Sequence, residues 1–252
     1  MTKIEKLIRR TLIIAGYEVF SRLFDKLIRV DMVEEEFADI LKQCKPFTLT
    51  SVERMYALYQ ATKYIIDHDI PGDFVECGVW RGGSSMLMAY TLKKMNAMSR
   101  KIYCYDTYAG SVKPGARDVD FKNVSGEKLW SAFETENSKL CFVTLDEVQR
   151  NLFSTGYPEN NFVFVKGKVE DTIPGTIPEK ISLLRLDTDW YESTYHEFLH
   201  LFPRLSTHGA LIIDDYGYWK GSREATDTYF RENKIKILLN RIDYSGRIGI
   251  KV

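Results

Sequence analysis

The feature that most constrains this chain is a run, from Asp73 onward, of short apolar segments alternating with helical stretches. Phe74–Val79, Lys101–Asp106, Phe162–Val165, Ile181–Leu186 and Ala210–Ile213 read as strands, apolar on both faces rather than on one. Helical patterns fall over Ser84–Met95, Leu145–Phe153 and Tyr195–Leu205. Strands of this kind need cover on both sides, and this alternation produces parallel pairs, so the expected fold is α/β, a doubly wound, mostly parallel sheet. Lys234–Asn240 and Arg247–Val252, joined through Tyr244-Ser-Gly246, read as two more strands, an antiparallel hairpin at the sheet edge that brings the total to seven. Thr107–Lys139 has no clear strand and reads as a long excursion over the strand ends.

Ahead of this pattern, apolar positions such as Ile4, Leu7, Ile8, Leu12, Phe20, Leu23 and Leu27 recur at helical spacing with a break near Gly16. Residues 1–47 are therefore expected to be amphipathic helices serving as a lid or a dimer contact, and residues 48–252 the α/β domain. The first 30 residues carry seven basic against three acidic side chains. A helix lying on a membrane surface is the minor alternative. A further helix is expected from Thr50 or Ser51.

Lys plus Arg and Asp plus Glu both number 35, so no global charge draws the chain to nucleic acid or anionic lipid, and no nucleic-acid partner is expected. Cys44, Cys77, Cys104 and Cys141 contain no Cys-x-x-Cys pair, which argues against a zinc knuckle or redox centre. With no long apolar run and no secretory leader, the expectation is a cytoplasmic protein.

Two constellations carry chemistry. Val75-Glu-Cys-Gly-Val-Trp-Arg-Gly-Gly-Ser-Ser85 turns from strand into helix, the ligand position of open α/β sheets. Gly78 and Gly83 are spaced as in a P-loop, but Ser84-Ser85 stands where Lys-Ser/Thr is required. Trp80 occupies the place of the second glycine of a dinucleotide fingerprint. Triphosphate and nicotinamide chemistry are thus disfavoured. Asp106, 28 residues after Gly78, is placed to accept from the hydroxyls of a ribose, and Glu76 is placed near a ligand ammonium group. The second constellation is Leu186-Asp-Thr-Asp-Trp190 with Ile213-Asp-Asp-Tyr216. If the two strands are parallel neighbours, Asp187, Asp214 and Asp215 meet at one edge with only Arg185 close in sequence to balance them. A hard divalent cation would relieve their repulsion, Mg²⁺ in preference to Zn²⁺.

Gly72–Ser85, Asp187-Thr-Asp-Trp-Tyr-Glu-Ser-Thr194 and Asp214-Asp-Tyr216 together resemble the macrocin O-methyltransferase family. The similarity runs from about Thr48 to about Arg231. It implies a Rossmann-like class I methyltransferase that uses S-adenosylmethionine and a divalent cation to methylate a small-molecule hydroxyl acceptor, a sugar or phenol of a natural product. Matched motif by motif, Glu76, Gly78 and Ser84 would meet the methionine part of the cofactor, with Trp80 and Ser51 beside them. Asp106 would hold the ribose, and Gly167 and Lys168 would border the adenine. The metal triad falls on Asp187, Asp214 and Asp215. Asp189 matches the acid that serves as general base in a phenol-methylating relative. Other members use a His before the Leu145 helix, where this sequence has Glu134-Thr-Glu-Asn137.

Tyr108, Trp130, Trp190, Tyr191, Tyr216 and Trp219 are candidates to stack on an acceptor ring. His68, His196, His200 and His208 read as ordinary surface or helix residues. A homodimer is expected. The reading from another class is a nucleoside-binding module of the same fold without turnover, held at a membrane by its basic N-terminus.

Overall fold

A computed structural model describes residues 34–135 and 142–252. The helices expected over residues 1–30, and Cys141, lie outside the described residues. The chain divides between Asp39 and Ile40, and the compact unit from Ile40 to Val252 carries the sheet.

Helix α1 (Glu35–Cys44) leads through a short 3₁₀ turn into α2 (Val52–Asp67). Ser51 caps α2, its hydroxyl accepting from the Arg54 N–H. The α/β succession is then β1 (Asp73–Cys77), α3 (Gly83–Lys94), β2 (Ile102–Asp106), α4 (Gly126–Thr135), α5 (Leu145–Phe153), β3 (Phe162–Lys166), α6 (Val169–Thr172) and β4 (Ile181–Leu186). It continues through α7 (Tyr191–His200), β5 (Leu205–Ile213), α8 (Lys220–Glu232), β6 (Asn240–Arg241) and β7 (Arg247–Ile250). The seven-stranded sheet has the order β3-β2-β1-β4-β5-β7-β6. β1 to β5 are parallel, and β7 runs antiparallel to both β5 and β6.

All six residues of β4 are buried, as strands apolar on both faces require. One face packs Val75, Cys77, Leu184, Leu186, Leu211 and Ile213 against Phe198 of α7, Phe202 just after it and Tyr229 of α8. Full burial of such aliphatic side chains contributes roughly 1.5–3 kcal/mol each. Cys44, Cys77 and Cys104 are free and buried.

Three elements differ from the sequence reading. The helix expected over Tyr195–Leu205 spans Tyr191–His200, because Pro203 cannot donate a helical N–H and turns the chain into β5, which starts at Leu205. The strand expected over Lys234–Asn240 shrinks to Asn240–Arg241. Ile235, Ile237 and Leu239 do turn onto the core, so their period of two reports burial, while the ladder with β7 closes only at Asn240–Ile248 and Arg241–Arg247. The excursion after β2 contains α4, whose polar residues concealed it.

Within this core, α7 buries one carboxylate outright. Glu197 accepts from the Thr188 hydroxyl at 2.9 Å through Oε1, and Oε2 has no hydrogen-bond partner. Burial pushes this carboxyl well above its ordinary value of 4.5. The folded chain then retains a proton that the unfolded chain releases above about pH 4.5, so this contribution to stability is complete at lower pH and is lost as pH rises through the folded value. Glu197→Gln is expected to gain stability relative to the parent between pH 5 and pH 8, in urea melts at the two pH values.

Candidate active site

The chain runs outward from β1 to β2 and β3 and then returns to β4 on the other side of β1. This reversal opens a crevice at the carboxyl ends of β1 and β4. Cys77 pairs with Leu186 and Leu186 with Ile213, so the next residues, Gly78, Asp187 and Asp214, stand at one level. The Asp187 N–H donates to the Cys77 carbonyl and the Asp214 N–H to the Leu186 carbonyl, both at 2.9 Å. Gly78 has φ +82°, and a Cβ there would lie 1.9 Å from the Asp187 carbonyl oxygen. No other residue fits this contact.

Glu76 and Arg185 are register partners and share a sheet face with Asp187, two residues past Arg185, and Asp214, two residues past the β5 partner Ile212. The buried Arg185 guanidinium bonds Glu76 at 2.7 Å, Asp187 at 2.8 Å and Asp214 Oδ1 at 2.6 Å. Ser85 donates to the other Glu76 oxygen. A second guanidinium arrives from α2: Arg54 pairs with Asp214 Oδ2 through Nη1 and with Asp243 through Nε at 3.0 Å. Burial opposes the charge of Arg54, but Asp214 and Asp243 outweigh it and keep it protonated.

Asp187, Asp214 and Asp215 each offer an oxygen within 4.8 Å of the others. Burial first, and then mutual repulsion, push the carboxyls of Asp187 and Asp215 well above the ordinary carboxylate range. Two guanidiniums face six acids here, counting Glu76, Asp189 and Asp243, so full ionisation would leave an anionic excess, and the raised carboxyls show that the two guanidiniums do not offset it. Around Mg²⁺ opposite oxygens stand about 4.2 Å apart and adjacent ones about 3.0 Å, so this all-oxygen set suits a hard cation once its side chains draw inward.

Asp189 sits beside the triad with φ +68°. Its N–H donates to Asp215 at 3.1 Å, and its Oδ1 accepts from the Trp219 indole at 2.9 Å. Burial, with the Asp187 charge next, pushes its carboxyl up to about 7. Trp219 packs edge-on to Trp190 at 4.8 Å, and the Trp190 indole donates to the Val112 carbonyl at 2.8 Å.

These groups open on a cavity of about 630 Å³, within the range of small-molecule sites. Glu76, Gly78, Trp80, Ser84, Asp106, Gly167, Lys168 and the four aspartates all line it. Ser51 does not; its hydroxyl donates to Asp243 at 2.7 Å, and Thr48 and Thr50 face the cavity instead. Asp106 closes the glycine turn: Oδ2 accepts from the Val79 and Trp80 N–H groups at 2.7 and 3.0 Å, and Oδ1 from the Tyr108 N–H at 2.9 Å. The Gly167 N–H donates to the Asp106 carbonyl, so the residues expected at the adenine adjoin the one expected at the ribose. Of the aromatic candidates, Trp190 and Trp219 line the cavity and Tyr108, Trp130, Tyr191 and Tyr216 do not. Tyr218 and Tyr244, which are not among those stacking candidates, do.

A doubly wound sheet closed by an antiparallel β7, with a glycine turn after β1 and acids after β2 and β4 around one cavity, defines a Rossmann-like class I O-methyltransferase of the S-adenosylmethionine-dependent kind. The chain belongs to the macrocin-O-methyltransferase (TylF) family, whose model matches residues 31–248. It is 31% identical over 199 residues to demethyldecarbamoylnovobiocin O-methyltransferase of Streptomyces niveus, covering 79% of this chain and 73% of that one. It is 30% identical to mycinamicin III 3''-O-methyltransferase of Micromonospora griseorubida, covering 79% and 76%. Among solved structures, the O-methyltransferase NovP superposes with a TM-score of 0.72 at 29% identity over 82% of each chain. CalS11, a calicheamicin methyltransferase, shares the fold at 19% identity, with a TM-score of 0.59 over 93% of this chain and 91% of its own. Among the described residues no helix is long and apolar enough to cross a membrane.

Proposed function

We propose that this enzyme moves the methyl group of S-adenosylmethionine to a hydroxyl of a sugar or phenolic natural product, with Mg²⁺ or a similar cation held by Asp187, Asp214 and Asp215. The observation that carries the reading is the convergence of three carboxylates within 4.8 Å on the cavity that also receives the glycine turn. The family relatives named above as methyltransferases of novobiocin- and mycinamicin-type compounds support the acceptor class.

When bound, the sulfonium supplies an electrophilic methyl group, and the cation would lower the pKa of an acceptor hydroxyl and orient it. The chain's own residues do the rest. Gly78, Ser84 and Glu76 face the methionine end of the cavity, and Asp106, Gly167 and Lys168 its nucleoside end. Glu76 has its oxygens engaged by Arg185 and Ser85, so its first role is to fix the guanidinium that aligns Asp187 and Asp214. Asp189, oriented by the Trp219 indole, takes the hydroxyl proton on its carboxylate. Trp190, Trp219 and Tyr218 supply apolar walls that exclude water and stack on an acceptor ring.

The test is a methyl-transfer screen over sugar nucleotides, glycosylated natural products and catechol-like phenols, with Mg²⁺ and after exhaustive removal of divalent ions. Formation of S-adenosylhomocysteine that depends on both acceptor and ion is expected. Turnover unaffected by stripping the ion would defeat the metal assignment. Cofactor binding with no turnover on any acceptor would favour the non-catalytic module.

A further inference from the structure

Both oxygens of Asp214 already carry a guanidinium: Arg185 on Oδ1 at 2.6 Å and Arg54 on Oδ2. An aspartate so engaged cannot offer a cation a free oxygen without loosening one of the two. The two arginines are not equally free to yield. Arg185 is fixed to β4 with its side chain 2% exposed, and Asp187 holds it at 2.8 Å as well. Arg54 stands on the cavity wall, on a helix outside the sheet, and straddles two carboxylates on opposite sides of its guanidinium. Its Nε already reaches Asp243 at 3.0 Å, and Ser51 donates to the same Asp243 oxygen at 2.7 Å, so this second carboxylate is held ready in the turn before β7. Asp243 Oδ1 accepts from the Ser245 and Gly246 N–H groups at 2.8 and 2.6 Å, so the existing Nε bond to Oδ2 is the anchor that holds Arg54 when Nη1 leaves Asp214.

Building on the cation reading above, we propose that Arg54 competes with a divalent cation for Asp214, and that Asp243 is the carboxylate onto which it withdraws. Arg54 is thus a residue that sets ion affinity. It lowers the affinity by the cost of breaking its bond to Asp214, and Asp243 limits that cost by offering an alternative partner. Arg185 keeps Oδ1 in both states, and the cation and Arg54 contend for Oδ2 alone, where their like charges repel.

The test is Mn²⁺ binding, followed by the paramagnetic resonance of the free ion, on the full chain and on Arg54→Gln, Asp243→Asn and the double variant. Arg54→Gln is expected to bind Mn²⁺ about tenfold more tightly. Asp243→Asn is expected to bind it several-fold more weakly when Arg54 is present, and to have no effect in the Arg54→Gln background. Weakening by the same factor in both backgrounds would reduce Asp243 to a plain charge effect and overturn the withdrawal. Equal Mn²⁺ affinity for the parent and Arg54→Gln would remove the competition while leaving the metal assignment intact. Failure of both to bind Mn²⁺ at millimolar concentration would remove the metal assignment, and this proposal with it.

Discussion

Asp215→Asn is expected to slow methyl transfer by about 10²–10³-fold, the share of the barrier that a Lewis-acidic ion typically supplies, while S-adenosylmethionine binding stays within a few-fold of the parent. Asp215 is the informative member of the triad. Removing Asp214 would strand Arg54 and Arg185, and breaking a buried ion pair costs about 3–5 kcal/mol, so lost activity there would be mixed with lost fold. Asp215 accepts a hydrogen bond from the Asp189 N–H through Oδ2 and pairs with neither arginine. Asparagine preserves that acceptor. Burial, then the charges of Asp189 and Asp214, oppose ionisation of Asp215, so the neutral amide relieves the cluster. The variant should melt at or above the parent's temperature without added ion and gain nothing from Mg²⁺, whereas the parent should gain. Initial rates and thermal melts at several Mg²⁺ concentrations check both statements, and an Asp215→Asn enzyme with full rate and a full Mg²⁺ response would remove this residue from the ion site.

Asp189→Asn is expected to lower kcat by about 10²–10⁴-fold, the usual contribution of a positioned base, with little change in KM. The substitution suits the site because asparagine tolerates the left-handed backbone observed at φ +68° and can still accept from the Trp219 indole. The backbone N–H to Asp215 is unchanged by it. An acceptor phenol acidic enough to be ionised at the assay pH has no proton to give, so the variant should methylate it nearly as fast as the parent does. If the variant is equally slow on ionised and neutral acceptors, Asp189 positions the substrate and does not take the proton.

Much of this site could be read from the sequence, because the residues that form it sit at strand ends. Once β1, β4 and β5 are recognised as parallel neighbours, register alone brings Gly78, Asp187 and Asp214 to one level. Ser51 was legible as a helix start, and the structure confirms the cap; as a cavity residue it is displaced by its neighbours Thr48 and Thr50. Arg54 was not singled out. It lies 160 residues from Asp214, and no local pattern links a helix before the sheet to the end of its fifth strand. The available signal was its position one turn before Leu58 on the buried side of α2, where a charged side chain needs a partner. Tyr218 and Tyr244 sit in connections, where aromatic periodicity carries no information. The role of Asp106 is also wider than its spacing suggested. Its carboxylate ties together three backbone N–H groups, an arrangement set by the positive φ at Trp80 and Tyr108.

The cross-strand pairing of Glu76 with Arg185, extended to Asp187 and Asp214, bears on how this protein matures. Internal guanidinium groups already offset part of the repulsion among the acids, so the polypeptide can reach its finished shape during synthesis without waiting for a mineral supply. On the cation reading proposed above, the ion would be a late and exchangeable visitor whose loss would leave an intact, reloadable enzyme, in contrast to small domains that unravel when their metal is withdrawn.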